Sequence, residues 1–232
     1  MIKTKSNIEV LFEDNHLIIV NKKSGDIVQG DKTGDKPLNE LVKEYIREKY
    51  NKPGEVYLGT PHRLDRPTSG IVVFTKTSKA LTRMNKMFHD KEVQKTYWAI
   101  VKNKPNKDSD RLIHYLKKNN DKNRSIAYPK SIAGAKKAEL TYQLIYNFDN
   151  YYLLEIKPLT GRHHQIRVQL ATMGCPIKGD LKYGFSRSNP DASISLHARQ
   201  IEFVHPVSKE PLKVTADPIS KDVLWREATK QF

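Results

Sequence analysis

The sequence has one cysteine in 232 residues, Cys175, so an internal disulfide is excluded and no thiolate cluster can hold a metal. No apolar run approaches the roughly 18–20 residues of a membrane-spanning helix, and the opening MIKTKSNIEVLFED carries no signal-peptide core. The GxxxxGK phosphate loop, the GxSxG elbow, HExxH and GxGxxG are all missing, which takes away support for nucleotide hydrolysis, hydride transfer and zinc chemistry. There is no internal repeat, low-complexity tract or clear linker. Acid is scarce relative to base: 26 Asp and Glu face 41 Lys and Arg, giving a formal net charge of +15. An excess of that size implies a polyanionic partner, because lysines and arginines gain by releasing counterions from a phosphate backbone. A reducing compartment, the cytoplasm, suits the single cysteine.

What remains is globular in composition, 38% hydrophobic and 29% charged, with 11 Tyr and 7 Phe spread along the chain. The runs Ile8 to Phe12 and His16 to Asn21 predict a strand pair, followed by the glycine- and aspartate-rich loop SGDIVQGDKTGD. Leu38, Leu41, Val42, Tyr45 and Ile46 recur at helical spacing behind Pro37, and NKPG ends that pattern. Ile71 to Phe74 reads as a buried strand, and Ala80, Leu81, Met84, Met87 and Phe88 form a second helical stripe, better suited to a core than to a site. The second half turns to the aromatic and β-branched runs TYWAIV, RLIHYL, SIAYP, AELTYQLIY and YYLLEIKP, for which antiparallel pairing is expected. A helix from about His163 to Met173, stopped by Gly174, and a C-terminal helix starting at Pro218 complete the expectation. The predicted class is α+β, a mixed and mostly antiparallel central sheet flanked by a few helices, in one domain over 1–232.

Of the 11 arginines, four fall in two short stretches: Arg63 and Arg66 in PHRLDRPTSG, Arg162 and Arg167 in TGRHHQIR. Asp65, between two of these cations, reads either as a structural ion pair or as a poised anion able to act as nucleophile or base. Thr68, Ser69 and Gly70 form a polar turn that ties this loop to the strand after it. Arg162 and His163 fall near a helix N-terminus, where free N–H groups and the helix dipole favour an anion, and Arg167 one turn on can reach a buried carboxylate. Adjacent histidines on a helix point about 100° apart and no ligand stands at metal spacing, so no metal is expected. In QKTYWAIV, Lys95 and Tyr97 offer a cation beside an aromatic face on which a base could stack, while strand alternation sends Trp98 to the opposite face and into the core.

Taken together and in order, HRLDRPTSG, KTYWAIV, TGRHHQIRVQLATMGCPIKGDLKYG and LHARQIEFVHP resemble the motifs of the RluA-type pseudouridine synthases, over nearly the whole chain. The resemblance implies the pseudouridine synthase fold, with a catalytic cleft, and isomerisation of uridine to pseudouridine in ribosomal or transfer RNA without a cofactor. It implies that Asp65 is the essential carboxylate, that Tyr97 packs on the target base, and that Arg167 pairs with Asp65. Arg63, Arg66, Arg162, His163 and Lys95 would serve the RNA, Arg63 by displacing the target nucleotide. Two departures stand out. His163 replaces the family's usual Ser or Thr, which removes a helix-capping hydroxyl, and the first motif begins near Ile8, which leaves no room for the N-terminal RNA-binding module many members carry. The expected protein is a monomer with RNA as its only partner.

Overall fold

The computed structural model describes residues 8–30 and 34–232; the middle of the expected SGDIVQGDKTGD loop, 31–33, lies outside them. In chain order the elements are β1 (Glu9–Glu13), β2 (Leu17–Lys22), α1 (Leu38–Lys49), β3 (Ser69–Thr75), α2 (Ser78–His89), β4 (Gln94–Val101), β5 (Ser109–Asn119), β6 (Arg124–Tyr128), β7 (Lys136–Asn147), β8 (Tyr152–Pro158), α3 (Gln165–Thr172), β9 (Leu196–Val204), β10 (Pro211–Thr215) and α4 (Val223–Gln231). The class is the expected one, α+β with mostly antiparallel strands and four α-helices among the described residues. The chain folds as two compact units, Met1–Gln94 with Arg199–Ile219, and Lys95–Ala198 with Ser220–Phe232.

In the first unit, β1, β2 and β3 pair antiparallel in sequence, and β10 returns antiparallel on the end of β9. Two sides of this sheet are filled separately, as the period of 2 requires. Leu17, Ile19, Ile71 and Val73 pack with Ala80, Met84 and Met87 of α2, so the methionine stripe is core, as its spacing indicates. Ile18, Val20, Val72 and Phe74 pack with Leu38, Val42 and Ile46 of α1. Helix α2 starts at Thr77, whose hydroxyl accepts from the Ala80 N–H at 3.2 Å. Helix α1 starts behind Pro37 without a side-chain cap, but Glu40 in its first turn and Arg47 and Lys49 in its last complement the helix dipole.

In the second unit the strands run β4-β8-β7-β5-β6, with every neighbouring pair for which a register is defined antiparallel. One face buries Ala99, Val101, Leu140, Leu154 and Ile156 against Ile166 and Leu170 of α3. The other buries Trp98, Ile100 and Leu153 against Trp225 and Ala228 of α4. Helix α4 begins at Val223 rather than near Pro218, because Asp222 supplies the cap that proline cannot: one carboxylate oxygen accepts from the Leu224 N–H at 2.9 Å and the other takes the Lys178 ammonium at 2.6 Å. Strands β9 and β10 escape the sequence pattern. Residues 196–201 of β9 are buried in succession apart from a partly exposed Gln200, with His197 and Arg199 among them, which erases the apolar-polar alternation that marks a half-buried strand.

Candidate active site

The Asp65 loop is fixed to the first unit at several points. The Val73 N–H of β3 donates to Nε2 of His62 at 2.9 Å, so this ring is held as the Nδ1–H tautomer while it lies 4.8 Å from the Phe88 ring. Three consecutive carbonyls in the turn each accept a hydrogen bond: that of Asp65 from the Thr68 N–H at 3.0 Å, that of Arg66 from the Gly25 N–H at 2.9 Å, and that of Pro67 from the Ser24 hydroxyl at 3.0 Å. Gly70 enters β3 at φ +112°, a conformation for which a side chain would be strained. Asp65 is left half-buried between exposed Arg63 and Arg66, and Arg66 reaches the carboxylate of Asp35 at 2.6 Å.

Beneath this turn lies a residue the sequence pattern does not reveal. Lys22, at the end of β2, is 0% exposed and donates to the carbonyls of Lys23 at 2.9 Å, Asp26 at 2.7 Å and Arg66 at 3.1 Å. Its only signal in the sequence is a lysine directly continuing the apolar run LIIVN.

Tyr97, Lys95 and Arg167 belong to the second unit. Tyr97 sits on β4 opposite Ile156 of β8 and packs towards the α3 side, while Trp98 faces the other core. The Lys95 ammonium lies close to Gly161, within 3.9 Å of where a Cβ would stand, and burial pushes its pKa down. Arg162 donates through Nε to the Lys137 carbonyl at 3.0 Å, and its N–H donates to the Gln165 side chain at 3.0 Å.

His163 and His164 precede α3 rather than decorate it. His164 occupies the N-cap with φ 54°, and its ring stacks on that of His163 at 3.8 Å and 21°. The 100° divergence expected of helical neighbours therefore does not arise. Nor does His163 vacate a capping position, because the cap belongs to His164, which offers no side-chain bond there. A Ser hydroxyl does arrive from elsewhere: Ser125 of β6 donates to the His163 carbonyl at 2.7 Å, which leaves its oxygen to accept from Nδ1 of His163 at 3.0 Å.

Arg167 is 5% exposed and makes a bidentate ion pair with Asp180, Nε to Oδ2 at 2.7 Å and Nη2 to Oδ1 at 2.9 Å. Its guanidinium also lies 5.2 Å from the centre of the Tyr183 ring, which Arg124 approaches to 5.4 Å. The Tyr183 oxygen accepts from the Ser125 N–H at 2.8 Å and meets Nδ1 of His164 at 2.9 Å. Burial above all, then the charges of Arg167, His163, Lys182 and Lys118, pull His164 down to about 2, so the ring is neutral and shares one proton with the tyrosine oxygen through Nδ1. Asp180, Tyr183 and Ser125 thus orient Arg167 and the start of α3. Asp180 and Tyr183 stand in the KGDLKYG stretch, yet no spacing ties either to Arg167, 13 and 16 residues away.

The chain thus presents an aspartate turn braced on a sheet, a tyrosine entering a strand beside a partly buried lysine, and a buried, bidentately held arginine. The RNA pseudouridylate synthase family matches residues 16–172, and the chain belongs to that family. It is 32% identical over 213 residues to the ribosomal large subunit pseudouridine synthase C of Vibrio vulnificus, covering 89% of this chain and 64% of that protein. It is 30% identical over 245 residues to the tRNA pseudouridine synthase C of Vibrio cholerae, covering 97% of this chain and 96% of that one. The chain thus spans less than two thirds of the ribosomal relative and nearly all of the transfer-RNA relative. The fold is that of the human RNA pseudouridylate synthase domain containing 4 protein, with a TM-score of 0.77 at 23% identity over 96% of this chain and 92% of that one.

Proposed function

We propose that this chain is an RNA pseudouridine synthase that isomerises uridines of ribosomal or transfer RNA, the two substrate classes its relatives are named for. The observation that carries the reading is the braced turn of family motif HRLDRPTSG, which leaves a half-buried carboxylate between two exposed arginines. Binding RNA gives no reason to hold an anion there; chemistry at the sugar does. The N1–C1′ bond of the uridine breaks, the uracil turns, a C5–C1′ bond forms, and the proton lost from C5 is balanced by one gained at N1. Product and substrate have the same composition, so neither oxidant nor second substrate enters, and the reading invokes no cofactor. Asp65 is the catalytic carboxylate, acting in its ionised form. Tyr97 packs on the target base, which must be kept from escaping while it is detached. Arg167, pre-oriented by Asp180 and Tyr183, pairs with Asp65. Arg63, Arg66, Arg162, His163 and Lys95 serve the RNA, with Arg63 displacing the target nucleotide.

These roles draw on both units, so the reading takes 1–232 as one catalytic domain; the family match over 16–172, which crosses from the first unit into the second, supports this. The protein acts as a monomer in the cytoplasm. Among the described residues no helix is long and apolar enough to cross a membrane. The test is Asp65→Asn, assayed for single-turnover pseudouridine yield and for RNA affinity on the same RNA. Yield should vanish while affinity is equal or slightly better, because an anion has been removed from a polyanion's site. Turnover by the variant at the wild-type rate removes Asp65 from the mechanism, and loss of RNA binding in a folded variant assigns it to a structural ion pair.

A further inference from the structure

Several cations of the second unit are neutralised by a carboxylate: Lys107 by Asp110, Arg111 and Lys137 by Glu139, Lys157 by Glu155 and Lys178 by Asp222. Three neighbouring ones are not. Among the described residues, the side chains of Arg124, at the start of β6, and Lys118, on β5, make no ion pair or hydrogen bond, and Asp121 in the turn between them pairs with neither. Lys182, in the short 3₁₀ turn Leu181–Tyr183, gives its ammonium to the Asn123 carbonyl at 3.1 Å. Lys118 stands opposite Ser125, next to Arg124, and continues the face on which Leu116 packs with Val168 and Tyr183. Burial first, then Arg167, His163, Lys182 and Lys118 hold down the pKa of His164, so a buried ring registers the positive field at this place. The Arg124 guanidinium lies 5.4 Å from the centre of the Tyr183 ring, which Arg167 approaches to 5.2 Å, but Arg167 has Asp180 to neutralise it and Arg124 has no acid. The Nε of Arg124 is closed off from solvent and has no acceptor among the described residues. A buried donor without an acceptor is uncommon in a native fold and asks for a ligand. Held by a ring face rather than by a fixed hydrogen bond, this guanidinium can turn to an incoming acceptor without giving up a bond.

Resting on the pseudouridine synthase reading, we propose that Arg124, Lys118 and Lys182 form a phosphate-binding site for the backbone of the substrate RNA, beside Arg167. Arg124 presents a planar fork that can take two oxygens of one phosphate, and the exposed lysines supply point charges for that phosphate or its neighbours. The cations come from two strands and a separate turn, and two of them are exposed, which suits a polymer laid across them better than a small anion enclosed by them. Because Tyr183 meets both guanidiniums, backbone held here is delivered next to Arg167. Such a site adds affinity and register and reads no base edge.

The experiment measures the affinity of the whole chain for unfractionated transfer RNA and for ribosomal RNA lacking pseudouridine, across a salt series. The proteins are the wild type and Arg124→Gln, Lys118→Gln and Lys182→Gln, singly and together. Each lost phosphate contact should lower the slope of log affinity against log salt by roughly 0.7–0.9, so the triple variant should lose about 2–3. A control triple, Lys36→Gln, Lys107→Gln and Lys157→Gln, removes the same formal charge from exposed ion pairs and should lose less than about 1. In parallel, the Arg124 Nε–Hε resonance should shift when RNA is added to protein labelled with 15N at arginine. That resonance is identified by its absence from Arg124→Lys, which keeps the charge and should keep the slope. If Arg124→Gln does not fold, the Lys118→Gln, Lys182→Gln double variant should still lose about 1.4–1.8. Equal slope losses in the two triple variants on both RNAs, or an Arg124 resonance indifferent to RNA, overturn the proposal. So does a resonance that answers to inorganic phosphate or to polyglutamate but not to RNA. Pseudouridine formation by a chain whose slope ignores all three residues defeats this site alone; absence of pseudouridine from RNA whose binding obeys them defeats the functional reading alone.

Discussion

Replacing Asp180 by asparagine removes the anion facing Arg167 while keeping its shape, and the consequence can be sized from the geometry. Arg167 and Asp180 are 5% and 1% exposed and joined by two hydrogen bonds of 2.7 and 2.9 Å, so neither charge has water to fall back on. Breaking a buried pair by removing one partner costs about 3–5 kcal/mol, mostly for the stranded charge. The asparagine carbonyl can keep one of the two bonds, which places Asp180→Asn near the lower figure. At about 2–4 °C per kcal/mol for a chain of this size, the midpoint of thermal unfolding should drop by about 6–12 °C. Arg167→Met alone should be comparably destabilised, since it strands Asp180. The double variant Arg167→Met with Asp180→Leu should return to within about 2 kcal/mol of the wild type, because a buried ion pair is no better for stability than apolar packing of similar volume, and it should still make no pseudouridine. Urea unfolding of Arg167→Met, Asp180→Leu and the double variant closes the cycle, with Asp180→Asn measured beside it. Additive losses, with a coupling below about 0.5 kcal/mol, or a loss below about 1 kcal/mol for Asp180→Asn, would refute the view that this pair holds Arg167.

Glu13 makes a stability prediction with a definite sign. Burial would raise its pKa, but hydrogen bonds from Lys49, Lys76 and Tyr50 outweigh burial and bring it from 4.5 to about 2. Stability from this carboxylate is fully present above 4.5 and lost as pH falls towards 2; it amounts to at most about 3 kcal/mol, reduced by screening at the partly exposed Lys49. Acid titration of urea midpoints should show the loss, and Glu13→Gln should remove it. Gly179→Ala should destabilise by about 2–4 kcal/mol, because at φ +86° the new Cβ would stand 2.6 Å from the Ser193 carbonyl oxygen, whereas Gly25→Ala, at φ +92° with open space, should lose only about 1–2 kcal/mol. Equal losses by urea unfolding would contradict the contact argument. Tyr97→Phe should retain more pseudouridine activity than Tyr97→Ala if the ring's stacking matters more than its hydroxyl, and equal kinetic losses would refute that role.

How far the sequence could be read depended on whether local pattern and tertiary environment agree. Where one face of an element meets a core and the other meets water, as in α1 and α2, spacing alone locates the element and its buried residues. Where a stretch is buried on both faces, as over residues 196–199 of β9, polar residues such as His197 and Arg199 take interior places and alternation disappears. Where a turn decides the boundary, as at Asp222 or His164, side-chain caps and a left-handed backbone override the generic start signals of proline and histidine. The site divides the same way. Asp65, Tyr97 and Arg167 stand in motifs that a resemblance can point to, but Lys22 and Asp180 acquire meaning only from what they touch across 44 and 13 residues of chain.

The division of the chain also constrains how the protein is made. The first unit needs Arg199–Ile219 to finish its sheet, and the second needs Trp225 and Ala228 to close the core over Trp98. A ribosome working from the N-terminus therefore releases β1, β2 and β3 with their last neighbours still unsynthesised, and almost the whole of the second unit appears before its closing helix does. The usual benefit of vectorial synthesis, one finished body before the next begins, is denied to this topology. Nascent chains arrested anywhere short of residue 219 should be protease-sensitive in both units, with strand edges left open in that interval to pairing with other chains.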